Sequence, residues 1–180
     1  MAFASRQVRS AQARRPRSFL RAVLLGLLVL VVAIVAAGLW SIAHRQPQAS
    51  ATPKEIGGYG LLSSVEGPQA LQMVAGLHQG SPQITEARVA HYEQGGVIWT
   101  GTAASQDAAR GQLEAMAQAI GKGGSPFSNL QEVSLAGRLV FAVSDGDTTH
   151  YFFRSGAQVI WITPPWDSGL PFVVAALRVF

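Results

Sequence analysis

The chain has 180 residues, a formal net charge of +4 and no cysteine, which excludes disulfides, cysteine-ligated zinc, iron–sulfur clusters and thiol nucleophiles. The charge is unevenly placed. Residues 1–45 carry seven arginines and no acid (+7), whereas residues 46–180 carry seven basic and ten acidic side chains (−3), so the basicity lies off the folded part and nucleic-acid binding is disfavoured.

Residues 22–43, AVLLGLLVLVVAIVAAGLWSIA, contain no charge. At about 1.5 Å per residue they form a helix of roughly 33 Å, matching a hydrocarbon core of about 30 Å, so this run is expected to be a transmembrane helix. Six of the seven arginines precede it and only Arg45 follows. The positive-inside bias makes residues 1–21 a basic cytoplasmic tail and places the C-terminal domain outside the cytoplasm. Trp40 suits an interfacial anchor, and Arg15, Arg17 and Arg21 suit anionic head groups, each contact worth about 1 kcal/mol. The lipid bilayer is thus the first expected partner. A cleaved signal has an apolar region of about 7–15 residues, and the Ala-x-Ala sequence at residues 49–51 lies well past the run, so the helix is expected to stay as an anchor. Ala22 with Gly26 and Ala33 with Ala37 have the spacing that lets two such helices approach, although ordinary membrane-helix composition also explains them.

Residues 44–55 read as a polar linker with two prolines, and residues 56–180 as one domain with one core. Ser63 and Glu66 have capping-box spacing before a helix whose stripe is Ala70, Leu71, Val74 and Leu77, stopped by Gly80 and Pro82. Residues 85–92 and 97–100 alternate like strands around a glycine-containing turn. A second helix is expected over residues 105–120, with Ser105 as N-cap and Asp107 in its first turn, and residues 122–129 form a loop. Four strands follow, at residues 130–135, 138–143, 148–153 and 157–162, with connections short enough for a meander. Pro164 and Pro165 break the sheet, and Asp167 or Ser168 caps a last helix ending near Val179. The expectation is an α+β fold, with an antiparallel sheet of about six strands and about three helices covering one face. His91-Tyr92 before Val97-Ile98-Trp99 and His150-Tyr151 before Val159-Ile160-Trp161 form an internal echo, each followed by a helix.

No residue is assigned to catalysis, a metal or a cofactor. His78, His91 and His150 have no metal-ligand spacing, and only if the echo aligns do His91 and His150 converge as weak acid–base candidates. Asp145-Gly146-Asp147 lacks the glutamate a calcium loop needs at its twelfth position, where Gly156 stands. No Gly-x-Ser-x-Gly elbow or P-loop is present, and the glutamates are scattered. The aromatic residues are more informative. Trp99, Tyr151, Phe153, Trp161 and Trp166 fall on or beside strands and form the candidate ligand or partner surface, with simple core packing as the plain alternative. Strand 157–162 is apolar on both sides, so either the third helix covers the second face or an apolar groove remains.

Ile56-Gly57-Gly58 with Leu61, Gly67 with Ala70, Leu77-His78, Val97-Ile98-Trp99, Met116, Pro126-Phe127, His150 to Phe153 and Val159 to Trp161 form a pattern over about residues 53–165. It resembles an uncharacterised family of bacterial membrane-anchored proteins with an extracytoplasmic α+β domain. The resemblance implies the fold and carries no activity. The expected function is a single-pass, membrane-anchored extracytoplasmic module that binds a protein partner or a second copy of itself without catalysis. The alternative is a membrane-tethered, hydrolase-like enzyme using His91 or His150.

Overall fold

The computed structural model describes residues 34, 51–76, 83–167 and 169–180. The apolar run at 22–43, the anchoring residues Arg15, Arg17, Arg21 and Trp40, and also Leu77, His78, Gly80, Pro82 and Ser168, lie outside the described residues, Ile34 excepted. Among the described residues no helix is long and apolar enough to cross a membrane. Every element below belongs to the compact unit Pro47–Phe180.

In chain order the elements are β1 (Glu55–Ile56), β2 (Tyr59–Glu66), α1 (Pro68–Gly76), β3 (Ile84–Tyr92), a 3-10 turn (Glu93–Gly95), β4 (Val97–Ala103), α2 (Gln106–Gly121), β5 (Ser128–Leu135), β6 (Arg138–Ser144), β7 (Thr149–Ser155), β8 (Gln158–Thr163) and α3 (Gly169–Val179). The strands form one antiparallel sheet in the order β1-β2-β3-β4-β8-β7-β6-β5. The fold is α+β. The last four strands make the expected meander, and β8 joins it to β4, with Trp99 opposite Trp161 and Ile98 opposite Ile162.

Eight strands stand where six were expected, because β1 and β2 occupy a stretch that reads as linker and helix cap. Ser63 and Glu66 form no capping box: both lie in β2, opposite His91 and Arg88. Gly67, at φ +67°, makes the turn that a side chain would resist, and α1 starts on Pro68, a residue already set for a first helical turn. Ser105 does cap α2, its hydroxyl accepting from the amide of Ala108 at 3.1 Å. Ser128 and Asn129, expected in a loop, open β5.

Strand alternation sorts the side chains onto two faces. On the first, Ala87 and Val89 lie under Ala70 and Val74 of α1, while Val143, Phe152 and Val159 lie under α2. On the second, Ala90, Tyr92, Ile98, Val140, Phe153, Ile160 and Ile162 pack against Phe172, Val173, Ala176 and Leu177 of α3. The three helices therefore do not share one face: α3 covers the second, one of the two outcomes that the two-sided apolar character of β8 allows. Its first turn lies near Gly57 and Gly96, at one end of the strands. Its last turn reaches the other end, where Arg138 Nη1 donates to the Leu177 carbonyl at 2.7 Å and the Ser155 hydroxyl donates to Phe180. Two corners of the second face stay open, one beside the first turn of α3 and one lined by β2, β3, β4 and β8.

Phe172 is the pivot of this packing, fully buried with its ring edge-on to Tyr59 and Tyr92 at 5.6 and 5.4 Å. The Tyr92 hydroxyl donates to the Pro53 carbonyl at 3.0 Å, and burial pushes its phenol up to about 12. Phe172→Ala is expected to cost about 3–5 kcal/mol of folding stability, read as a lower urea midpoint, because it removes a ring with no freedom to collapse behind it. Leu139→Ala, at a side chain 69% exposed, should stay within about 0.5 kcal/mol of the parent.

Candidate functional site

The densest polar chemistry lies at the β6–β7 turn. Asp145 Oδ1 accepts from the amides of Asp147 and Thr148 at 3.2 and 2.9 Å, closing the turn on itself. Its Oδ2 lies 2.9 Å from His150 Nε2, and His150 Nδ1 lies 3.1 Å from Thr163 Oγ1. A carboxylate only accepts, so Nε2 carries a proton, and in the neutral form of the ring Nδ1 then accepts from the threonine hydroxyl. The imidazole is 6% exposed and sits between Phe127 and Trp161, with ring centroids at 5.1 and 5.6 Å. The His150 hydrogen bond, with help from the Thr148 and Asp147 amides, holds the Asp145 carboxyl down to about 2.

An acid, an imidazole and a hydroxyl in contact are the parts of an activated nucleophile. Here they are closed on one another. Both ring nitrogens are occupied, and the two clefts described below are lined by other residues. The arrangement ties the turn to the end of β8. Nor does His91 join it. His91 opposes Val97, Val97 opposes Thr163, and Thr163 bonds His150, so the two histidines occupy one row of one face with two strands between them. Three strand spacings of about 4.8 Å put them about 14 Å apart, too far to act on one bond.

The candidate aromatic surface is divided by the sheet. Trp99 and Trp161 are half-buried on the first face, where Trp161 stacks on Phe152 (5.2 Å, 11°) and leans on Phe127 (4.7 Å). Phe153 is 2% exposed on the second face beneath the Arg138 guanidinium, 4.7 Å from its ring centre. It belongs to the core and presents nothing to a ligand. Tyr151 and Trp166 do come together, lining a cleft of ≈ 270 Å³ with Asp147, Thr149, Pro164, Pro165 and Leu170 at one open corner of the second face. Burial raises the Tyr151 phenol. Trp166 is 78% exposed, yet its backbone is fixed: its amide donates to the Gln94 carbonyl at 3.2 Å. Its ring lies so close over Gly95 that a Cβ there would come within 2.5 Å of it.

The other open corner holds a polar cleft of ≈ 310 Å³ lined by Glu66, Glu86, Arg88, Thr100, Thr102 and Gln158. Arg88 Nε lies 2.7 Å from Glu66 Oε1. Residue-by-residue reading missed this corner because its members come from four strands. The available signal was polar residues at alternate positions, Thr100 and Thr102, inside an apolar strand. Among the described residues no three histidine, aspartate or glutamate side chains are grouped to hold a metal ion.

No protein-family model matches the chain, and no characterised protein or solved structure matches it either.

Because the Asp145 carboxyl titrates lower in the folded chain than in the unfolded one, its contribution is present above the unfolded value of about 3.9 and is lost as pH falls towards about 2. Urea midpoints of the parent and Asp145→Asn should therefore differ above about pH 5 and converge as pH falls from about 4 towards 2. A gap that stays unchanged between about pH 4 and 2 would show that the fold does not hold the Asp145 carboxyl down.

Proposed function

We propose that the protein is a single-pass, membrane-anchored binding module, held by residues 22–43 with Arg15, Arg17, Arg21 and Trp40 at the bilayer, and that its outer domain meets a protein partner at the Trp166 corner. The observation that carries this reading is Trp166 itself. A tryptophan 78% exposed beside Leu170, itself 52% exposed, over an open cleft, on a backbone fixed by hydrogen bonding, is the kind of rigid aromatic anchor on which interfaces concentrate their energy. The closed Asp145–His150–Thr163 contact and the separation of His91 from it favour binding over catalysis. The charge asymmetry across residues 22–43 and the resemblance over about residues 53–165 support the anchored, extracytoplasmic setting.

Two measurements test this. A reporter fused after Phe180 is expected to be active only outside the cytoplasm, and cytoplasmic activity would overturn the orientation. A photo-crosslinking residue substituted for Trp166 in the full chain, in its own membranes, is expected to give one discrete adduct, whereas the same group at Leu139 gives none. A clean monomer from both positions would remove the binding reading.

A further inference from the structure

Resting on the binding reading above, we propose that the occupant of the Trp166 corner is an extended, proline-containing segment of another protein, gripped through a lysine or arginine side chain. Charge comes first. The residues lining the cleft include one acid, Asp147, and no base, and Asp167 stands next to Trp166 in the chain. Asp147 is exposed, and among the described residues its carboxylate has no ion-pair partner. The corner is therefore complementary to a cation, and Trp166 offers that cation an aromatic face.

Shape and chemistry then favour a peptide. The floor combines Tyr151, Trp166, Pro164, Pro165 and Leu170, the aromatic and apolar lining into which a polyproline II segment docks without first having to be ordered. At ≈ 270 Å³ the cleft is below the usual range of about 300–1,000 Å³ for enclosed drug-sized ligands, which suits a short stretch of chain lying across it. The walls are fixed before any ligand arrives. The Trp166 amide is bonded to Gln94, and the Tyr59 hydroxyl donates to Asp167 at 3.1 Å, tying the Trp166 loop to the start of β2. The chain has a basic, proline-containing stretch of its own, Arg14-Arg15-Pro16-Arg17, but in the proposed orientation it lies across the membrane from this corner. Pro53 and Lys54, a proline and the lysine of the linker, are held at β3 and β2 by hydrogen bonds from Tyr92 and Leu61, so the occupant is assigned to a different protein.

The test uses the full chain in nanodiscs of zwitterionic lipid and a fluorescein-labelled octapeptide containing one Pro-x-x-Pro unit and a flanking arginine, read by anisotropy. Saturable binding is expected. Trp166→Ala and Asp147→Asn are each expected to weaken it about fivefold or more, because each removes one half of the grip on the cation, and Leu139→Ala should leave it unchanged. Both variants alter exposed side chains, and an unchanged melting temperature verifies that they fold. A control peptide with glutamate for arginine should not bind, and one with glycine for its prolines should bind several-fold more weakly. Equal binding by the glycine peptide, or parental affinity in both protein variants, overturns the proposal. Absence of peptide binding alongside a discrete photo-adduct at Trp166 overturns this inference and leaves the binding reading standing; absence of both removes the two together.

Discussion

The pairing of β4 with β8 is the constraint on which the rest of the structure depends. It joins two four-stranded halves into one sheet, and its central residues are apolar on both sides: Trp99 with Trp161 towards one face, Ile98 with Ile162 towards the other. A strand pair of that kind is stable in water only if both faces are covered. The chain meets the requirement with α1 and α2 on one side and α3 on the other, so the helices that follow the two hairpins must leave in opposite directions. The echo between 91–99 and 150–161 therefore marks similar strand chemistry and a real juxtaposition of the two tryptophans. It does not mark two packing units related by repetition.

Much of this was legible in the sequence, for identifiable reasons. The meander was readable because β5 to β8 alternate cleanly and are separated by short turns such as Ala136-Gly137. Ser105 was readable as a cap because capping is local chemistry. β2 was hidden because Ser-x-x-Glu satisfies a local helix rule while the partner that overrides it, β3, lies more than twenty residues away. The two-sided burial of β8 posed the right alternative, helix or groove, but the choice depended on how far α3 reaches, which only tertiary packing determines.

The site was less legible. The five aromatics shared a chemical character, yet period-two alternation sent Phe153 and Trp161 to opposite faces, and only Tyr151 and Trp166 line one cleft. His91 and His150 were noticed because histidine is rare here. Their row on the sheet became visible only with the register in hand. What distinguishes Trp166 is neither its type nor its neighbours in sequence. It is the combination of an exposed ring and a fixed backbone, set by a hydrogen bond to Gln94 and contact with Gly95, both more than sixty residues earlier.

The position of α3 also ties the closing of the domain to contacts of long sequence separation. Its buried side chains rest on Ile56, from the first strand, and on Tyr92 and Ile98, while its carbonyl end is held by Arg138. α3 thus closes over the first strand of the domain, and β8 must find β4 across about sixty intervening positions. Contacts of such long sequence separation slow folding and leave apolar strands bare in the meantime. Until α3 is in place, the second face of the sheet, with Ile98, Ile160 and Ile162, has no cover. A chain in which α3 has not docked would present those residues to whatever chaperone or protease it met first.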